Sequence, residues 1–72
     1  MNEALVNARK IRKWTQDKTA KRARVSRATL ASLEQDGVPS LATGYRLADA
    51  FGCSVYDIFL PEYVEKLDNK GK

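Results

Sequence analysis

The stretch from Thr15 to Gly37, TQDKTAKRARVSRATLASLEQDG, holds the side chains best suited to chemistry on another molecule. Ser26 is followed at once by Arg27, Ala28 and Thr29, and Ser32 lies one helical turn beyond Ala28. A serine that caps a helix leaves the next residues on its exposed first turn. There Arg27 offers a planar fork of donors matching the O6 and N7 of guanine, a pair worth about 1–3 kcal/mol of discrimination. Ala28 presents a methyl that suits the methyl of thymine, and Ser32 can donate or accept. The small side chains of Ala28, Ala31 and Ser32 let such a helix approach base edges closely. A plainer reading makes Arg27 an ordinary residue on a solvated surface. The helix dipole disfavours a cation at that end, which tilts the balance towards function.

Thr15 and Gln16 open the preceding helix. Free backbone N–H groups and the dipole attract a phosphate to a helix start, and the Gln16 amide can bond the same oxygen. Two short helices joined by a tight turn place the first across the phosphate backbone and the start of the second in the major groove. The chemistry implied is hydrogen bonding to double-stranded DNA, with sequence read by the second helix.

Five short helices position these residues, and no alternating run is long enough for a strand, so the fold expected is all-α. The first spans about Glu3 to Lys13, with Leu5, Ala8 and Ile11 on a core-facing stripe. The second, capped by Thr15, runs from Gln16 to about Ala23. The third, capped by Ser26, runs from Arg27 to about Gln35, turns Leu30 and Leu33 inward, and stops at Gly37 and Pro39. Ser40 caps the fourth, where Leu41, Tyr45, Leu47, Ala48 and Phe51 supply apolar contacts. Gly44 weakens that helix by about 1 kcal/mol relative to alanine, and Gly52 ends it. Ser54 and Asp57 form an acidic capping box for a short fifth helix, with Val55, Ile58 and Phe59 inward and Pro61 as its stop. Trp14, at the first joint, reads as a core plug rather than a base-stacking residue. Residues 1–67 make one domain, with the helix pair at about 15–36, and 68–72 read as a disordered tail.

Composition removes the competing chemistries. With no histidine and a single cysteine among 72 residues, the chain has neither the commonest general base nor a zinc-finger ligand set. A hydroxyl or thiol nucleophile with a histidine base cannot be assembled, and no carboxylate sits in an apolar setting that suits acid–base work. No enzyme, metal or cofactor is expected. Cys53 reads as a small buried hydrophobe; a redox-sensing thiol is the alternative, with no positive neighbour in sequence to activate it. No signal peptide or spanning segment is apparent, so a cytoplasmic protein without membrane contact, nucleoid-associated when bound, is expected. Of the net charge of +4, residues 1–36 carry nine basic against four acidic side chains, a net +5, leaving −1 for the rest. That asymmetry fits a polyanion partner, although lysine and arginine also simply solvate helix surfaces.

The chain resembles the helix-turn-helix domain of the Xre family, which includes the Cro and repressor proteins of lambdoid phages. The matching residues are Arg9, Thr15-Gln16, Ala20, Val25-Ser26-Arg27, Thr29-Leu30, Leu33-Glu34, Pro39-Ser40, Leu47-Ala48 and Phe51-Gly52-Cys53-Ser54 with Asp57-Ile58-Phe59. They cover about residues 5–60. The resemblance implies a lambda-repressor-like bundle. It also implies that Gln16 holds a phosphate, that Arg27, Ala28 and Ser32 face base edges, and that Thr29 lies close to the groove. By the same resemblance Gln35 would sit near the sugar–phosphate chain, while Arg9 and Glu34 match a structural ion pair between the first and third helices. Thr15 and Ser26 complete the DNA-binding set as the two caps.

Three departures stand out. Thr19 and Ala23 replace larger apolar residues, so a thin core is expected beneath the second helix, with Trp14 as filler. Arg24 stands where the turn usually has glycine, implying mild strain or a different turn. The loop before Pro39 is one residue shorter than usual. The function implied is a transcriptional regulator on a two-fold symmetric operator, bound as a homodimer. Tyr56, Leu60, Tyr63, Val64 and Leu67 are candidates for the dimer surface, or Tyr63, Val64 and Leu67 fold back on their own core. An antitoxin or partner-binding module of the same fold is the alternative, and a toxin or RNA polymerase would then be the protein partner.

Overall fold

The computed structural model describes residues 1–60. The expected stop at Pro61, the apolar residues Tyr63, Val64 and Leu67 and the tail 68–72 lie outside the described residues. Five helices follow in order: α1 (Glu3–Ile11), α2 (Gln16–Ala23), α3 (Arg27–Glu34), α4 (Leu41–Phe51) and α5 (Val55–Ile58). Among the described residues there is no strand.

Each helix starts on a polar side chain that satisfies an orphan backbone donor. Asn2 accepts from the Leu5 N–H, Thr15 from Lys18, Ser26 from Thr29, Ser40 from Thr43 and Ser54 from Tyr56. At α5 the box closes as the Ser54 N–H donates to Asp57 Oδ2 at 2.9 Å. Asn2 does more than cap. Its N–H donates to the Glu34 carbonyl at 2.9 Å and its amide to the Ile58 carbonyl at 2.8 Å, tying the start of α1 to the ends of α3 and α5.

Four helices also stop alike, on a residue with a left-handed backbone: Lys13, Arg24, Asp36 and Gly52, at φ 60°, 61°, 72° and 73°. In each case the following N–H reaches back to close the last turn. Trp14 donates to the Arg9 carbonyl, Val25 to Ala20, Gly37 to Ser32 and Cys53 to Ala48. Arg24 therefore keeps the ordinary turn and takes the strained conformation, rather than forcing a different turn. Gly37 was expected to stop α3, but Asp36 supplies the left-handed residue. The glycine is needed for space, because a Cβ there would stand 2.8 Å from the Ser32 carbonyl oxygen.

Leu5, Leu30 and Leu47 are fully buried at the centre, and Phe51, Val55, Ile58 and Phe59 extend the core towards α5. Two apolar residues expected in the core lie outside it. Ile11 is 79% exposed and Tyr45 is 53% exposed, while Val6 is buried instead. Helix α1 ends at Ile11, two residues short of the expectation, so Ile11 sits in its last turn, beyond the part that packs on the bundle. Gly44 has a second role beside weakening α4: its Cα faces α5 so closely that a Cβ would come within 2.8 Å of Val55 Cγ2.

Beneath α2 the core is built from small side chains. Thr19 and Ala23 are buried, and the Thr19 hydroxyl donates to the Thr15 carbonyl at 2.9 Å, which satisfies its one polar group. Trp14 packs alongside, its ring 5.7 Å from that of Phe51 and near parallel to it, with the Arg22 guanidinium 4.8 Å from the indole centre. That arrangement makes Trp14 a plug, as its position suggests. Cys53 is half-buried against the core, and desolvation, aided by the Asp57 carboxylate and opposed by Arg12, pushes its thiol above the usual value.

Relieving the left-handed strain should stabilise the fold. Left-handed backbone costs a side-chain-bearing residue about 1–2 kcal/mol, part of which glycine returns through its freer unfolded state. Arg24→Gly is therefore expected to gain up to about 1 kcal/mol and raise Tm by about 4–8 °C. Gly37→Ala is expected to lower Tm, because the added methyl meets backbone. Thermal unfolding followed by circular dichroism checks both.

Candidate nucleic-acid interface

The segment α2–turn–α3 exposes one continuous polar edge. Thr15 is exposed at the start of α2, and Arg27, Ala28, Thr29 and Ser32 are exposed along α3, with Ser26 at its cap. Gln35 is exposed at the C-cap of α3, which ends at Glu34. The inward face of that helix carries Leu30 and Leu33. Amphipathicity alone thus turns the residues with base-reading chemistry outward. The Ser26 hydroxyl donates to Thr29 Oγ1 at 2.8 Å while accepting the Thr29 N–H, so both oxygens at this helix start are held in place.

Arg27 does not extend freely. Its Nε lies 3.5 Å from Asp17 Oδ1 on α2, with both side chains about two-thirds exposed. A solvent-exposed pair of this kind is worth little, so Asp17 orients Arg27 without holding it. Asp17 carries no sign of this role in the sequence, because an acidic residue in a first helical turn is ordinary there.

Behind the exposed edge lies one buried carboxylate. Glu34 is 4% exposed and accepts both arms of the Arg9 fork, Nε at 2.6 Å and a terminal nitrogen at 3.2 Å. The other terminal nitrogen of Arg9 donates to the Trp14 carbonyl at 3.0 Å. Glu34 Oε1 also accepts from the Gln16 amide at 3.0 Å. A carboxylate only accepts, so the amide must turn its NH2 group towards Glu34. Gln16 is therefore partly engaged inside the protein, and only the second hydrogen of its amide nitrogen remains to donate to a phosphate. Among the described residues, no buried side-chain nitrogen or oxygen lacks a partner.

The basic residues divide by role. Arg9 sits in the buried pair, Arg22 lies over Trp14, and Arg12 donates to the Phe51 carbonyl at 2.6 Å while approaching both aromatic rings. Among the described residues, Lys10, Lys13, Lys18, Lys21 and Arg24 are exposed and form no ion pair. They supply the outward positive field.

A family model described as helix-turn-helix matches residues 5–58. The chain belongs to the Xre, or Cro/C1-type, helix-turn-helix family. No curated protein and no solved structure matches it. Membership makes the chain a DNA-binding helix-turn-helix regulator, of a family whose domain is not enzymatic. Within this Xre-family fold, α2 and α3 are the helix-turn-helix and α3 is the second helix of the pair. No helix among the described residues is long and apolar enough to cross a membrane.

Breaking the buried pair should unfold the domain before it alters recognition. Loss of one partner leaves an uncompensated buried charge, at about 3–5 kcal/mol. Arg9→Ala and Glu34→Ala are each expected to lose that much in urea unfolding. The double variant Arg9→Met/Glu34→Leu, which buries no charge, is expected to regain most of the loss.

Proposed function

We propose that this protein is a sequence-specific transcriptional regulator that reads a two-fold symmetric operator as a homodimer, with α3 in the major groove. The observation that carries this reading is the exposed row Arg27, Ala28, Thr29 and Ser32 on a helix whose opposite face is locked into the core. Arg27 pairs with guanine, Ala28 contacts a thymine methyl, and Ser32 bonds a base edge. The start of α2, with Thr15 and Gln16, meets the phosphate chain, and Gln35 lies against the sugar–phosphate chain of the same groove. The Gln16 bond to Glu34 supports this assignment: an amide tethered to the carboxylate of α3 fixes the phosphate contact relative to the reading helix.

Dimerisation follows from the size of the contact surface. A single domain of this size makes few base contacts, and two copies spaced by one helical turn, about 34–36 Å, read two half-sites together. Tyr56 and Leu60, each at least half exposed, flank a groove with Met1 and Ala4 and are the described candidates for the subunit contact. The protein acts in the cytoplasm, on the nucleoid, without a cofactor.

Selection from random duplex DNA at about 150 mM salt, where nonspecific contacts are weak, tests the reading. A symmetric motif with half-sites about one helical turn apart is expected, and folded protein that recovers no motif would falsify it. On the selected site, Arg27→Ala is expected to relax preference at one position per half-site, a loss of about 1–3 kcal/mol, with Tm nearly unchanged. Gln16→Ala is expected to weaken all sequences about equally.

A further inference from the structure

The loop between α3 and α4 holds one apolar side chain out to solvent between two packed neighbours. Gly37 packs directly on Ser32 of the reading helix, where a Cβ would stand 2.7 Å from the Ser32 hydroxyl, and its N–H donates to the Ser32 carbonyl at 2.9 Å. Pro39, two residues on, is buried, and its ring fixes the backbone. Val38 lies between these two anchors and is 59% exposed. A branched aliphatic side chain pinned in water gains nothing from its own fold, since burial is what makes such a group favourable.

Val38 shares an open groove with Ala28, Thr29 and Ser32 of α3 and with Ser40 and Thr43 at the start of α4. None of the side chains lining this groove is charged. The hydroxyls are largely spent on one another: Ser26 bonds Thr29, and Ser40 donates to Thr43 Oγ1 at 3.0 Å. Leu33 and Pro39 also line the groove but are buried, so the exposed apolar groups it offers a visitor are Val38 and the Ala28 methyl, beside a Ser32 hydroxyl that has no hydrogen-bond partner among the described residues. Met1, Tyr56 and Leu60, also exposed, gather at a different groove.

The only apolar group that a base pair presents in the major groove is the 5-methyl of thymine. We propose that Val38, together with Ala28, receives a thymine methyl, so that the α3–α4 loop is a second base-reading element. The inference rests on the reading of α3 proposed above and adds a specificity-determining residue outside the helix. Stiffness matters here because a loop that must be ordered on binding spends part of its contact energy on that ordering. The Gly37 and Pro39 anchors remove that cost.

The test starts from the operator selected with the parent protein. Each thymine of one half-site is replaced in turn by uracil, which removes the methyl alone, and affinities are measured for the parent and for Val38→Ala. One thymine is expected at which uracil weakens the parent about fourfold, the worth of one buried methyl. At that position the penalty is expected to fall below about twofold in Val38→Ala, whose Tm should match the parent because the side chain is exposed. Uracil penalties that are the same in both proteins at every thymine, or a half-site without thymine, overturn the assignment and leave reading by α3 standing. Recovery of no motif by the parent overturns that reading and this assignment together.

Discussion

The buried carboxylate of Glu34 is the constraint on which the rest of this fold depends. It stands on α3, yet its partners come from α1 through Arg9 and from the start of α2 through Gln16. Arg9 reaches on to the Trp14 carbonyl at the joint between those two helices. Three helices are thereby referenced to one pair of oxygen atoms. An apolar core of leucines and alanines tolerates small slides and rotations, because dispersion is not directional. Charge-assisted hydrogen bonds to a forked guanidinium do not, because their geometry is narrow. Desolvating such a pair costs much of what its attraction returns, so its contribution is better sought in geometry than in net stability. The geometry in question is the angle between the start of α2 and the exposed face of α3.

The same logic explains how the basic residues are used. A chain with five excess positive charges in residues 1–36 looks uniformly basic when read along its length. In three dimensions the arginines at 9, 12 and 22 turn to a carboxylate, a carbonyl and an indole. Planar guanidinium groups suit such sites, whereas a lysine ammonium is a compact charge that prefers full hydration. The exposed lysines keep their water and provide a field that acts at a distance. Arg27 is the arginine that stays outward on α3, oriented by Asp17.

The stops of the helices show a compromise of another kind. Lys13, Arg24 and Asp36 each adopt the left-handed conformation that glycine takes without penalty. The turns survive because the backbone bonds that close each helix are local and strong enough to hold them. At the end of α3 this separates two roles that glycine often combines. Asp36 makes the bend, and Gly37 makes the contact, bringing the loop against Ser32 and setting the direction of Val38.

What the sequence by itself determined is local. Thr15, Ser26, Ser40 and Ser54 mark four helix starts, because a hydroxyl beside orphan N–H groups acts within one turn of chain. The inward stripes of α3 and α5, the absence of strands among the described residues and the outward placement of Arg27, Ala28 and Ser32 follow from the helical period. So does the resemblance to the Xre family, which is a pattern of such local choices in order. Tertiary structure decided what depends on where the elements end and meet. Ile11 and Tyr45 have the spacing of core residues, but the bundle does not extend beneath them, and only packing reveals that. Asn2 caps α1 and bonds α3 and α5, contacts that no spacing encodes. Gln16 looks outward in sequence and proves tethered to Glu34, because hydrogen-bond partners far apart in the chain are chosen by the fold. Val38 reads as loop filler until Gly37 and Pro39 are seen to be anchored on either side of it. Periodicity and capping act over a few residues, whereas burial and buried hydrogen bonds are properties of the assembled bundle.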